Sequence, residues 1–250
     1  MKTTETPTII GVGASAGGLE ALELFLSPVP LDCNTAFVVV QHLDPIHKGF
    51  LPELLQRITP MKVIQASEGV RVKSNCVYVI PPNRDLSILH SKLHLLEPTA
   101  ARGLHLPIDF FFKALAEDQG ERAIGVILSG MGSDGTAGLR AIKENSGLVC
   151  VQSPESAKFD AMPRSAIDTG FADIVTTPQE LWTRISSCLN HQQQPGNQVS
   201  SPVIKFQSSS GLEQILKLLR ERTGNDFSYY KKTPSIAALN AESDYTNSMA

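Results

Sequence analysis

"IIGVGASAGGLEALELF", residues Ile9–Phe25, places an apolar run, a glycine-rich bend and a helical pattern in succession. Two kinds of machine open this way. One lays a nucleotide phosphate on the backbone amides of the bend and the helix start. The other holds a nucleophilic serine at the tip of a sharp turn. Gly11, Gly13 and Gly17 are spaced G-x-G-x-x-x-G, one residue longer than the dinucleotide fingerprint, and no Lys-Ser/Thr pair follows as in a Walker loop. The next apolar run, "AFVVVQH" (Ala36–His42), ends in Gln41 and His42 where a ribose-binding acid would stand. Gly13-Ala14-Ser15-Ala16-Gly17, by contrast, satisfies G-x-S-x-G. Small neighbours allow the sharp turn, and the Ala16 N–H at a helix start can face a developing oxyanion. Taken alone, Ser15 could equally be the N-cap of the helix that begins near Ala16.

Working outward, residues 8 to about 182 alternate apolar runs with helical patterns. The runs are "TIIGVG", "AFVVVQH", "NCVYVI", "AIGVILSG", "GLVCVQ" and "ADIVTT". Most are too continuous for a sheet with one wet face and fit strands covered on both sides. Helices are expected at Leu19–Leu26, Phe50–Ile58, Ile108–Glu117, Thr136–Glu144 and Gln179–Leu189. The alternation predicts a doubly wound α/β domain with a mostly parallel sheet and helices on both faces. Residues 76–96 carry strand-like runs with no helix between them and read as a β-hairpin excursion.

Composition narrows the function classes. Hydrophobic residues make up 42% of the chain and charged ones 19%, enough for a substantial core. A net charge of −3 and the lack of a Lys/Arg cluster argue against nucleic-acid binding. Cys33, Cys76, Cys150 and Cys188 show neither C-x-x-C nor Cys/His ligand spacing, so reduced, mostly buried thiols are expected, with no metal and no cofactor. No apolar run approaches the roughly 20 residues of a membrane span, and "MKTTETPTII" has no signal pattern, so a cytoplasmic protein without membrane insertion is expected.

A serine alcohol needs a base within reach, and the base needs an orienting acid. His42 closes the second strand, where polar residues of a parallel sheet converge on the site crevice. His47, His90, His94, His105 and His191 fall in loop, hairpin or linker segments and compete less well. The acid is Asp134, in the glycine-rich loop "SGMGSDGTAG" that follows a buried run. Its alternative role is to N-cap the helix Thr136–Glu144. The order Ser15, His42, Asp134 differs from the Ser, acid, His order of α/β-hydrolases. Arg84 and Arg102 could meet an acidic partner or form surface ion pairs. Phe110, Phe111 and Phe112 could line a groove or belong to the core.

Several motifs in order resemble the catalytic domain of the chemotaxis protein-glutamate methylesterases of the CheB type. They are "GASAGG", "VVVQHL", "LSGMGSDGTAGL" and "PESAKFDAMPRSAI" followed by "TGFADIV", spanning roughly residues 8–182. The resemblance implies Ser15 as nucleophile, His42 as general base then acid, and Asp134 as orienting acid. It implies the backbone N–H groups of Ala16 and Met131 as oxyanion donors. It further implies hydrolysis of glutamate 5-O-methyl esters on the cytoplasmic helices of methyl-accepting chemoreceptors, with methanol released, and deamidation of receptor glutamines in many members. Other signalling proteins are further expected partners. The alternative is a non-catalytic module of the same fold that docks receptor or signalling partners.

The expected organisation is a methylesterase domain at 8–189, a polar linker at 190–210, a helix at 211–232 and an unassigned tail at 233–250. The helix, within "ILKLLRERTGNDFSYYK", resembles the start of a CheR-type methyltransferase's N-terminal helical domain. The reading is of a truncated relative of such fusions, without methyltransferase activity. The serine turn begins about ten residues from the start, so regulation by a receiver domain in cis is not expected.

Overall fold

The computed structural model describes residues 7–41, 50–98 and 106–192. All of them lie in the first of two units of the chain, Met1–Pro195. The elements run β1 (Thr8–Ala14), α1 (Gly18–Leu26), β2 (Thr35–Gln41), α2 (Leu51–Gln56), β3 (Lys62–Gln65), β4 (Cys76–Val79), β5 (Asp85–Leu89) and β6 (Lys92–Leu96). Then come α3 (Pro107–Gln119), β7 (Ile124–Ile127), α4 (Thr136–Glu144), β8 (Leu148–Gln152), α5 (Ala161–Asp168), β9 (Ile174–Thr176) and α6 (Pro178–Gln192). Seven strands form one sheet in the order β3-β4-β2-β1-β7-β8-β9, with every pairing parallel. The expected doubly wound architecture is present.

Strand alternation explains the two layers. Ile10, Val12 and Ala14 of β1 and Phe37 and Val39 of β2 face a core built with α1, α2 and α6. Ile9, Ala36, Val38 and Val40 face the other core, built with α3, α4, α5 and the β5–β6 hairpin. Gly11 and Gly13 share the second face. A Cβ on Gly11 would lie 2.8 Å from Phe112 Cε1, and one on Gly13 would lie 2.5 Å from Ile108 Cγ2. These glycines are therefore bare because α3 packs directly on β1, not because a phosphate approaches the bend.

The chain leaves β1 toward β2 on one side and later returns as β7 on the other. The crevice between β1 and β7 is thus a topological switch point, the usual place for a site in such a sheet. Four features differ from the sequence reading. β3, "KVIQ", is a four-residue edge strand too short for a periodicity signal. β4 sits inside the main sheet between β3 and β2, so the hairpin excursion is confined to β5 and β6. α5 contains Pro163 near its start, which hides its helical pattern. α6 extends to Gln192, so His191 stands in a helix rather than a linker. The expected remainder of the linker, the helix at 211–232 and the tail lie outside the described residues.

No helix among the described residues is long and apolar enough to cross a membrane. Cys33, Cys76 and Cys188 are half-buried, Cys150 is buried, and all four are free thiols.

Phe112 fills the space above Gly11 and touches the start of α4 at Gly138. It is wholly buried. Phe112→Ala is expected to lower unfolding stability by about 3–5 kcal/mol, measured by urea titration. A loss below about 1 kcal/mol would contradict this packing.

Candidate active site

Ser15 follows the last residue of β1 and is half-buried. The turn after it is made by Gly17, whose φ of +70° suits glycine and little else. A side chain there would also meet Ser129 Oγ at 2.8 Å. α1 starts at Gly18 with Gly17 as its N-cap and no side-chain cap, so Ser15 is not a capping serine and Ala16 precedes the helix by two positions.

The loop after β7 lies against this turn. The Ser15 amide donates to the Ser129 carbonyl at 3.0 Å. A Cβ on Gly130 would come within 3.0 Å of Ser15 Cβ, so this glycine lets the two loops touch. Ser129, 1% exposed, binds several segments together. Its hydroxyl donates to the Ala16 carbonyl at 2.9 Å and accepts from the Phe159 amide at 3.0 Å. Its amide donates to Gln152 Oε1 at 2.8 Å. Sequence reasoning missed Ser129, since a small polar residue at a strand end has no pattern of its own.

The peptide planes on either side of the crevice share one device. The Ser15 carbonyl accepts from the Gly18 amide at 2.8 Å, and the Gly130 carbonyl accepts from the Met162 amide at 3.0 Å. Both donors are first-turn amides of helices, α1 and α5, which have no acceptor within their own helix. In a trans peptide the N–H points opposite to the C=O. Anchoring the two carbonyls therefore turns the Ala16 and Met131 N–H groups away from the helix ends. Neither N–H has a hydrogen-bond acceptor among the described residues. Two outward amides flanking a serine can hold a developing negative charge.

Asp134 is buried, 3% exposed. It does not cap α4, whose N-cap is Gly135 without a side-chain bond. Instead its Oδ2 accepts from the Ile108 amide at 3.0 Å and its Oδ1 from the Asp109 amide at 2.9 Å, capping α3. The capping role anticipated for Asp134 thus falls on a different helix, one that tertiary packing delivers. Ile108, whose amide Asp134 holds, also packs on Gly13, two residues before Ser15. A carboxylate has further lone pairs beyond the two used here, so Asp134 can still accept from an imidazole.

His42, proposed as the base, lies outside the described residues, as do His47, His105 and Arg102. It directly follows Gln41, which pairs in register with Ala14, the residue before Ser15. Arg84 is half-buried and ion-paired with Glu97. Phe111 and Phe112 are core, whereas Phe110 is 41% exposed. His90 stands at the hairpin turn and His94 in β6 bonds Glu68, both on the hairpin rather than the β1–β7 crevice. Among the described residues no group of three or more His, Cys, Asp or Glu is placed to hold a metal.

A family model described as CheB methylesterase matches residues 10–185. A Leptospira interrogans protein is 36% identical over 173 residues, covering 69% of this chain and 90% of that one. The protein-glutamate methylesterase/protein-glutamine glutaminase of Desulfitobacterium hafniense is 30% identical over 192 residues, covering 74% of this chain and 48% of that one. The chain thus matches only about half the length of that relative. The crystal structure of the Thermotoga maritima CheB methylesterase catalytic domain superposes with a TM-score of 0.67 at 28% identity, covering 73% of this chain and 98% of that one.

Asp109 gives the site a pH signature. Burial pushes its carboxyl above the ordinary value of 3.8, the Gly138 amide opposes this, and the neighbouring Asp134 charge adds to the rise. The folded chain then holds this proton to higher pH than the unfolded chain. Its stabilising contribution is complete below 3.8 and is lost as pH rises through the raised value. Urea unfolding of wild type and Asp109→Asn from acid to neutral pH is expected to show wild type losing ground to the variant as pH rises. A difference independent of pH would contradict this.

Proposed function

The chain belongs to the CheB methylesterase family, and we propose that it is a serine hydrolase that demethylates glutamate 5-O-methyl esters on the cytoplasmic helices of chemoreceptors. The observation that carries the reading is the serine turn itself. Ser15 stands at a topological switch point between two peptide planes whose carbonyls are pinned on helix starts. That arrangement suits acyl transfer at a side-chain carbonyl.

In the proposed reaction His42 takes the Ser15 proton as Oγ adds to the ester carbonyl. Asp134 orients His42 and stabilises the imidazolium that forms. The tetrahedral oxyanion accepts hydrogen bonds from the Ala16 and Met131 amides. His42 then protonates the departing methoxide, giving methanol and an acyl-enzyme. A water molecule, deprotonated by His42, attacks the acyl carbon. Collapse releases the receptor glutamate and returns the proton to Ser15. The same steps with an amide substrate release ammonia from glutamine, so receptor deamidation is a second proposed activity. The substrate places the enzyme in the cytoplasm, acting in chemosensory adaptation. No step calls for a metal or an organic cofactor.

The test is methanol release from methylated chemoreceptor. Wild type is expected to turn over, and Ser15→Ala to fall by a factor approaching roughly 10⁶, as for loss of a triad serine. Equal release by both proteins would remove Ser15 from the reaction, and release by neither would reject the esterase reading.

A further inference from the structure

α3 and α4 start side by side, and each is capped by an acid borne by the other's segment. Asp134, two residues before α4, binds the Ile108 and Asp109 amides of α3. Asp109, in the first turn of α3, accepts from the Gly138 amide of α4 at 2.6 Å. The bonds close a ring: Asp134 leads along the chain to Gly138, across to the Asp109 carboxylate, and through the Asp109 amide back to Asp134. The helices meet at backbone contact here. A Cβ on Gly138 would lie 2.5 Å from Phe112 Cβ and 3.1 Å from the Asp109 backbone. The ring therefore has little slack.

Asp109 is only 6% exposed, so its bond to the Gly138 amide is shielded from competing water and acts as a fixed tie between the two helix starts.

We propose that Asp109 is a positioning residue for the hydrolase reaction: by fixing the start of α4 on the start of α3, it holds the Asp134 carboxylate where the base needs it. This rests on the reading of Asp134 as orienting acid. Asp109 acts through Asp134 and contributes no atom to the substrate.

A double-mutant cycle on kcat for methanol release tests it, using wild type, Asp109→Ala, Asp134→Ala and the double variant. All are measured where circular dichroism shows them folded. Asp109→Ala is expected to lower kcat by roughly 10–100-fold with little change in KM, as for a misplacement of about 1 Å. In the Asp134→Ala background the same change is expected to cost less than about twofold, because its effect is already spent. Asp109→Asn keeps an acceptor for Gly138 and is expected to recover most of the loss. Should Asp109→Ala fail to fold, Asp109→Glu, which displaces the carboxylate by one methylene, takes its place in the cycle. Equal losses in both backgrounds, or an Asp109→Asn enzyme as slow as Asp109→Ala, would overturn the assignment while leaving the esterase reading intact. A wild type that releases no methanol would reject both.

Discussion

Ser129 is the joint on which the site depends. One buried residue in the loop after β7 uses its carbonyl and hydroxyl to hold the serine turn and the segment entering α5, and its amide to bond Gln152 at the end of β8. These segments come from distant parts of the chain. Without the joint, Ser15 and Gly130 would belong to two independent loops. With it, their separation is set by van der Waals contact. A buried hydroxyl with both a donor and an acceptor role satisfied is costly to replace, since an apolar substitute would strand the Ala16 carbonyl and the Phe159 amide.

The helix starts do the rest. α1, α3 and α5 all begin at the carboxyl edge of the sheet, and each brings amides that its own helix cannot use. The structure spends these amides on two carbonyls and one carboxylate: Ser15 O, Gly130 O and Asp134. The first two choices orient the neighbouring N–H groups, and the third fixes an acid. The positive ends of the helices also make this edge favourable for an anion. Geometry and electrostatics therefore come from the same bonds.

Much of this was legible in the chain, and the gaps have reasons. The strand–serine–turn–helix order around Ser15 is local, so G-x-S-x-G reported it directly. Asp134 was visible as an acid in a glycine loop after a buried strand. The helix it caps was not, because α3 lies far from it in sequence and meets it only through packing on Gly11 and Gly13. The glycines that resembled a phosphate cradle answer to α3 side chains instead. β3 and α5 escaped because four edge residues and a proline-bearing turn carry little periodicity. Ser129 and Asp109 escaped because their partners are all tertiary.

The central claim is that the Ala16 and Met131 amides converge on an oxyanion formed at Ser15. A crystal structure of the protein inactivated by an alkyl fluorophosphonate tests it most directly. The account predicts phosphorus bonded to Ser15 Oγ, with one phosphoryl oxygen about 2.7–3.1 Å from both amide nitrogens. An adduct on another residue, or a phosphoryl oxygen turned away from both amides, would contradict it.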